Sequence, residues 1–156
     1  MGNYNLAQVN IAKRLAPMDD PIMRDFVNNL DKINTIADVS DGFVWRMKDE
    51  DKEEGALVFK DDTLLINISV WENLESLFNF TYNSGHIEVL KRKKEWFGKM
   101  KMMHMAFWYV ENDVQPTFQD AKNRIDYLNA HGSTPYAFTF KKQFSVSDFL
   151  NYNHLI

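Results

Sequence analysis

Apolar residues alternate with polar ones at period two in four stretches, and each predicts a strand. The first is Tyr4 to Ile11, with Ala7, Val9 and Ile11 on one side and Leu6, Gln8 and Asn10 on the other. The second is Phe43 to Lys48, the third Leu64 to Trp71, and the fourth Met103 to Val110. In the third, Ile66, Ile68 and Val70 share a face opposite Leu65, Asn67, Ser69 and Trp71. On the fourth, His104 and Trp108 fall beside Ala106.

Between these stretches the apolar spacing becomes helical. Asp19-Asp20-Pro21 opens a helix that buries Met23, Phe26, Val27, Leu30, Ile33 and Ala37. Asn73 caps a second helix, which Asn83-Ser84-Gly85 interrupts. A new helical segment starts near His86 and ends near Gly98, with Val89, Leu90, Lys93, Trp96 and Phe97 along one side. Thr117 with Asp120 resembles a capping box for a third helix that ends at His131-Gly132. Tyr136 to Phe140 reads as a short extended segment, and Ser147 onward carries a weak helical pattern. The acidic run from Asp49 to Gly55 reads as a solvated loop.

The order is β-α-β-β-α-β followed by a helical appendix. This is an α+β, ferredoxin-like antiparallel sheet in one domain spanning residues 1–156, with the core at 4–112 and the appendix at 113–156. Two helices are expected to cover the aliphatic faces of the first and third strands. The opposite faces carry Gln8, Asn10, Asn67, Ser69 and Trp71. A solvated face would carry Lys, Glu and Thr, and a dry core would leave amides without partners. A few polar groups set among aromatic residues suit a ligand cavity or an interface core. Each amide alone is equally well served by backbone or water. The face as a set points to two sheets packed in a homodimer, with a cavity on each side.

Composition narrows the chemistry. The 156 residues are 45% hydrophobic with a net charge of −4, which suits a packed core and disfavours nucleic acid as the main partner. Cysteine is absent, so disulfides and thiolate chemistry are excluded and the cytoplasm is the default compartment. The start, MGNYNLAQVN, reads as neither a signal peptide nor an acylation signal. No apolar run reaches membrane-spanning length. No two histidines stand at ligand spacing and no Gly-rich phosphate loop occurs, so neither metal nor cofactor is expected.

His86, at a helix start, and His104, on a strand beside Trp108, are the candidate bases. Taken alone, each is better explained as a satisfied or idle histidine. His131 reads as a residue that complements the dipole at a helix end. Lys91-Arg92-Lys93-Lys94 is better read as a solvated face than as an anion contact.

The segments AQVNIAK, GFVWRM, ISVWEN, GHIEVLKRKKEWF and AFWYV, in that order, resemble the uncharacterised bacterial family called domain of unknown function 3291, in the dimeric α/β-barrel superfamily. The resemblance runs from Tyr4 to about Phe140. It implies the fold and a homodimer. The superfamily is similar to antibiotic-biosynthesis monooxygenases, haem-degrading monooxygenases and stress-responsive barrel proteins. In the small monooxygenases an Asn on the first strand, a Trp and a His line the pocket, and here Asn10, Trp71 and His86 are the nearest matches. The reading is a cofactor-independent, monooxygenase-like enzyme acting on a small aromatic or polyketide-like molecule. Asn10, His86 and His104 would do the chemistry. Gln8, Trp45, Asn67, Ser69, Trp71, Trp96 and Trp108 would line the cavity. A non-catalytic binding or stress-response dimer is the alternative, and haem binding through His86 a third.

Overall fold

The structure, a computed structural model, describes residues 3–48, 52–100 and 102–152. Its strands are β1 (Tyr4–Lys13), β2 (Phe43–Arg46), β3 (Leu64–Trp71) and β4 (Met105–Glu111). They form one antiparallel sheet in the order β2-β3-β1-β4. Its helices are α1 (Arg24–Asp38), α2 (Lys52–Phe59), α3 (Leu74–Asn83), α4 (His86–Lys91), α5 (Phe118–His131) and α6 (Val146–Asn151).

Local chemistry explains the helix starts. Asp20 accepts from the Ile22 amide at 3.0 Å and opens a 3-10 turn, Pro21–Met23, that leads into α1. Asn73 accepts from the Ser76 amide at 2.8 Å. Thr117 and Asp120 cap one another reciprocally, and Ser145 and Asp148 do the same for α6. Gly42 turns the chain into β2 at φ +80°, where a Cβ would also strike the Ser76 side chain.

Register divides the sheet into two faces. Ala7 pairs with Val70 and Trp108, Val9 with Ile68 and Ala106, and Ile11 with Ile66. This aliphatic face is buried against Phe118, Ala121, Ile125 and Leu128 of α5, with Val58 and Phe59 of α2 beside them. On the other face Leu6 and Trp71 pack with Ala37 of α1, Leu74 and Leu77 of α3, and Phe138. Helices of the same chain therefore lie on both sides.

This corrects the open-sheet expectation. The appendix helix α5, together with α2, occupies the aliphatic face. The first two predicted helices lie on the Gln8 and Trp71 face, opposite to the assignment made from periodicity. Both faces are apolar enough to take a helix, and only strand register separates them.

Smaller corrections concern boundaries. Lys52 to Gly55, expected as loop, begins α2, because Gly55 to Phe59 offers an apolar side to Phe118; Asp49 to Asp51 lie outside the described residues. The helix expected from His86 to Gly98 stops at Lys91 and continues as a 3-10 turn, Lys93–Glu95. Val27 is exposed, because Met23 and Ala37 set the buried stripe of α1. His104 precedes β4, although its carbonyl still accepts from the Ile11 amide at 2.8 Å. On the outer side of β4, Phe138 exchanges two backbone hydrogen bonds with Phe107, at 2.8 and 3.0 Å, which covers an otherwise open strand edge.

Candidate functional site

The Gln8 face changes character along its length. At one end Gln8, Ser69 and Trp71 are buried. The Gln8 side-chain amide donates to the Ser69 hydroxyl at 2.8 Å, and the Trp71 indole donates to the same oxygen at 2.9 Å. Phe80 stacks on Trp71 at 5.1 Å, and His86 tilts against Phe80 at 4.9 Å. This end is packed wall, where each polar group has a partner.

One strand step further, Asn10 and Asn67 are direct register partners and both are exposed. They lie on the two interior strands, where a side chain is usually covered from both sides. Among the described residues neither carboxamide makes a hydrogen bond. Met105, next to Asn10 on β4, and Leu65 on β3 are half-buried. On α1, Phe26, Leu30 and Ile33 continue the stripe of Met23 and Ala37, yet they too are only half-buried. The helix layer is closed over Trp71 and open over Asn10 and Asn67.

His86 begins α4 after Gly85, which lies close against Ile36 of α1. Its Nδ1 is 3.1 Å from the Thr81 carbonyl oxygen. A carbonyl only accepts, so Nδ1 carries the proton and Nε2 of the neutral ring keeps its lone pair. Burial pushes the imidazole below its ordinary value, and the bond to Thr81 opposes that shift. His86 is thus a neutral imidazole near pH 7, suited to take a proton. His104 is exposed, and its pKa is lowered by burial of part of its ring and by the Lys93 ammonium.

The structure does not gather the other predicted residues here. Trp108 and the half-buried Trp45 belong to the aliphatic face, with the sheet between them and Asn10. Trp96 is buried beside Phe26, 5.5 Å away, with the Arg92 guanidinium 4.9 Å from its ring. Arg92 also pairs with Asp25 and Glu95, both at 2.7 Å, so this part of the basic cluster is a solvated ion-pair face. Periodicity overlooked Phe80, which links Trp71 to His86. Helical spacing alone does not mark one Phe of α3 among several.

Two surface clefts lie elsewhere. One, about 590 Å³, is bounded by Glu53, Leu57, Lys60 and Asp62; the other, about 720 Å³, by Tyr4, Trp45, Glu72 and Gln115. Neither includes Asn10, Asn67 or His86. Among the described residues no three His, Asp or Glu side chains converge as a metal site, and no helix is long and apolar enough to cross a membrane.

Residues 5–153 match the family described as domain of unknown function (DUF3291). The chain belongs to that family. The DUF3291 match runs past Phe140, where the resemblance read from sequence stopped, so the C-terminal segment that packs on β4 is part of the family domain. A solved structure similar to this DUF3291 chain is that of a protein of unknown function from Nitrosomonas europaea. The TM-score is 0.45 at 8% identity, covering 75% of this chain and 97% of that one. No curated protein matches.

Proposed function

We propose that the chain is a small-molecule-binding protein whose ligand lies on the open end of the Gln8 face, held by Asn10 and Asn67. One observation carries this reading. Two adjacent carboxamides on interior strands are exposed and have no hydrogen-bond partner among the described residues. Each offers two donors and an acceptor, and half-buried Met105 and Leu65 supply apolar wall beside them. A planar ligand bearing carbonyl or enol oxygens fits such a set.

A catalytic form of the reading adds His86. His86 stands behind Phe80 at the packed end of the face, so its Nε2 would remove a proton only from a ligand that reaches past Trp71, with the two amides stabilising the resulting oxyanion. An electron-rich anion of an aromatic or polyketide-like molecule reacts with oxygen without a cofactor, so monooxygenase-like chemistry stays within this proposal. The strand order supports a ferredoxin-like core, with α2 as an insertion between β2 and β3. A homodimer in this reading uses a surface other than the aliphatic sheet face, which α2 and α5 occupy.

The test is native mass spectrometry of the protein purified gently from its own host, wild type beside the double variant Asn10→Ala, Asn67→Ala. The wild type is expected to retain a small molecule that the variant has lost. A variant that keeps the same molecule, or a wild type that carries none, overturns the reading.

A further inference from the structure

The aliphatic face of the sheet ends in the cleft of about 720 Å³ noted above. Its boundary is made by the start of β1, by β2, by the end of β3 and by the loop between β4 and α5. Asn5 marks its position. This residue pairs with Val110 and lies five positions before Asn10, on the opposite face of β1. The distance along the strand is about 17 Å. The cleft is thus separate from the Asn10 and Asn67 end in both depth and direction.

Its lining divides by chemistry. Trp45 and Val70, register partners on β2 and β3, supply apolar wall. Trp45 packs on the aliphatic core yet is only half-buried, and among the described residues no ring or cation is stacked on it. Asn5 and Gln115 bring carboxamides, and neither side chain makes a hydrogen bond among the described residues. Glu72 and Asp113 bring carboxylates that are exposed and enter no ion pair among the described residues. No Lys, Arg or His is among the described lining residues. A concave wall of one charge sign concentrates its field on the space it encloses. An indole face attracts the same sign of ligand that the carboxylates do.

We propose that this cleft is a second binding site, and that it takes an organic ammonium on a small apolar body. The ammonium offers three donors, which the Glu72 and Asp113 carboxylates and the two carboxamide oxygens accept. The body lies on Trp45 and Val70. A volume of this size suits a small-molecule ligand. An anion is repelled by both carboxylates, and a neutral ligand leaves them unused. The site does not depend on the Asn10 and Asn67 reading. Trp45, expected from sequence in the cavity of the Gln8 face, lines this cleft instead.

Phenethylammonium, its neutral analogue phenethyl alcohol and the anion phenylacetate test the charge. Affinity for the full chain is measured by titration calorimetry, and the Trp indole N–H resonances are followed by nitrogen–proton correlation NMR. Phenethylammonium is expected to bind roughly tenfold or more tightly than the alcohol, with phenylacetate weakest. It should shift the Trp45 resonance and leave that of Trp96, buried beside Phe26, in place. Glu72→Gln combined with Asp113→Asn should abolish the preference and leave the alcohol's affinity unchanged. Both changes keep side-chain shape, and Asn tolerates the left-handed φ of 69° that Asp113 holds. The variant Asn10→Ala, Asn67→Ala should bind as the wild type does. Equal affinities for amine and alcohol overturn the cation site, as does a preference that survives loss of both carboxylates. A Trp45 shift reproduced by sodium chloride at matched ionic strength, or binding lost with Asn10 and Asn67, overturns it too. So does the absence of amine binding at about 10 mM.

Discussion

Gln8 and Trp71 meet through a single atom, each donating a hydrogen bond to the Ser69 hydroxyl oxygen. All three residues are buried, so removal of that oxygen strands two donors at once. Each stranded donor costs about 1–3 kcal/mol. Ser69→Ala is therefore expected to lower unfolding stability by roughly 2–4 kcal/mol, with part of the loss regained by any water that enters. Urea denaturation checks this, and a loss below about 0.5 kcal/mol would show that the shared acceptor is dispensable.

That shared acceptor shows what was legible in the chain. Parity alone put Gln8, Ser69 and Trp71 on one face with Asn10 and Asn67, and register confirms it. The cap signals at Asp20, Asn73 and Thr117 were legible for the same reason, since a cap is decided within four residues. The helices that cover each face were not legible, because that choice is made by long-range register between two apolar surfaces. Trp45, assigned to the cavity from the sequence, lies on the aliphatic face instead: β2 carries an irregularity between Phe43 and Trp45 that breaks its parity. Helix α2 was hidden because its first turn is charged and its apolar residues come only after Gly55.

Asn10 and Asn67 should behave in the opposite way to Ser69. Their side chains are exposed and hold nothing in place. Asn10→Ala and Asn67→Ala are expected to change stability by no more than about 0.5 kcal/mol each. A thermal melt and a ligand titration on the same samples separate the two roles. A large stability loss would make the amides structural and remove their claim to a ligand.

His86 gives a pH signature. Its folded pKa lies below the ordinary value of 6.5, because burial disfavours the imidazolium. The unfolded chain then binds more protons between those two values, so stability rises with pH across that window. The contribution is full above pH ~6.5 and is lost as pH falls toward the folded pKa. His104 is shifted the same way and adds to the effect. Asp38 and Asp61 have lowered pKa values and lose their contribution only at lower, carboxylate pH. Melting temperatures between pH 7.5 and 5 are expected to fall for the wild type and to fall less for His86→Asn. Identical profiles would assign the drop to other groups.

Gly55 tests the layer that sequence missed. It is buried in α2, and a Cβ there would come within 2.8 Å of Cε1 of the Phe118 ring. Phe118 is itself fully buried at the start of α5, so its ring has little room to move. Two effects compete in Gly55→Ala. Helix propensity favours alanine over glycine by about 1 kcal/mol. Overpacking a tight contact costs about 1–3 kcal/mol. The short distance to a buried ring makes the second term the larger, so the variant should be less stable than the wild type. Phe118→Leu in the same chain frees the space, and there the glycine-to-alanine step should turn neutral or favourable. A double-mutant cycle measures that change of sign. If Gly55→Ala stabilises the wild type, α2 does not pack on α5 as described.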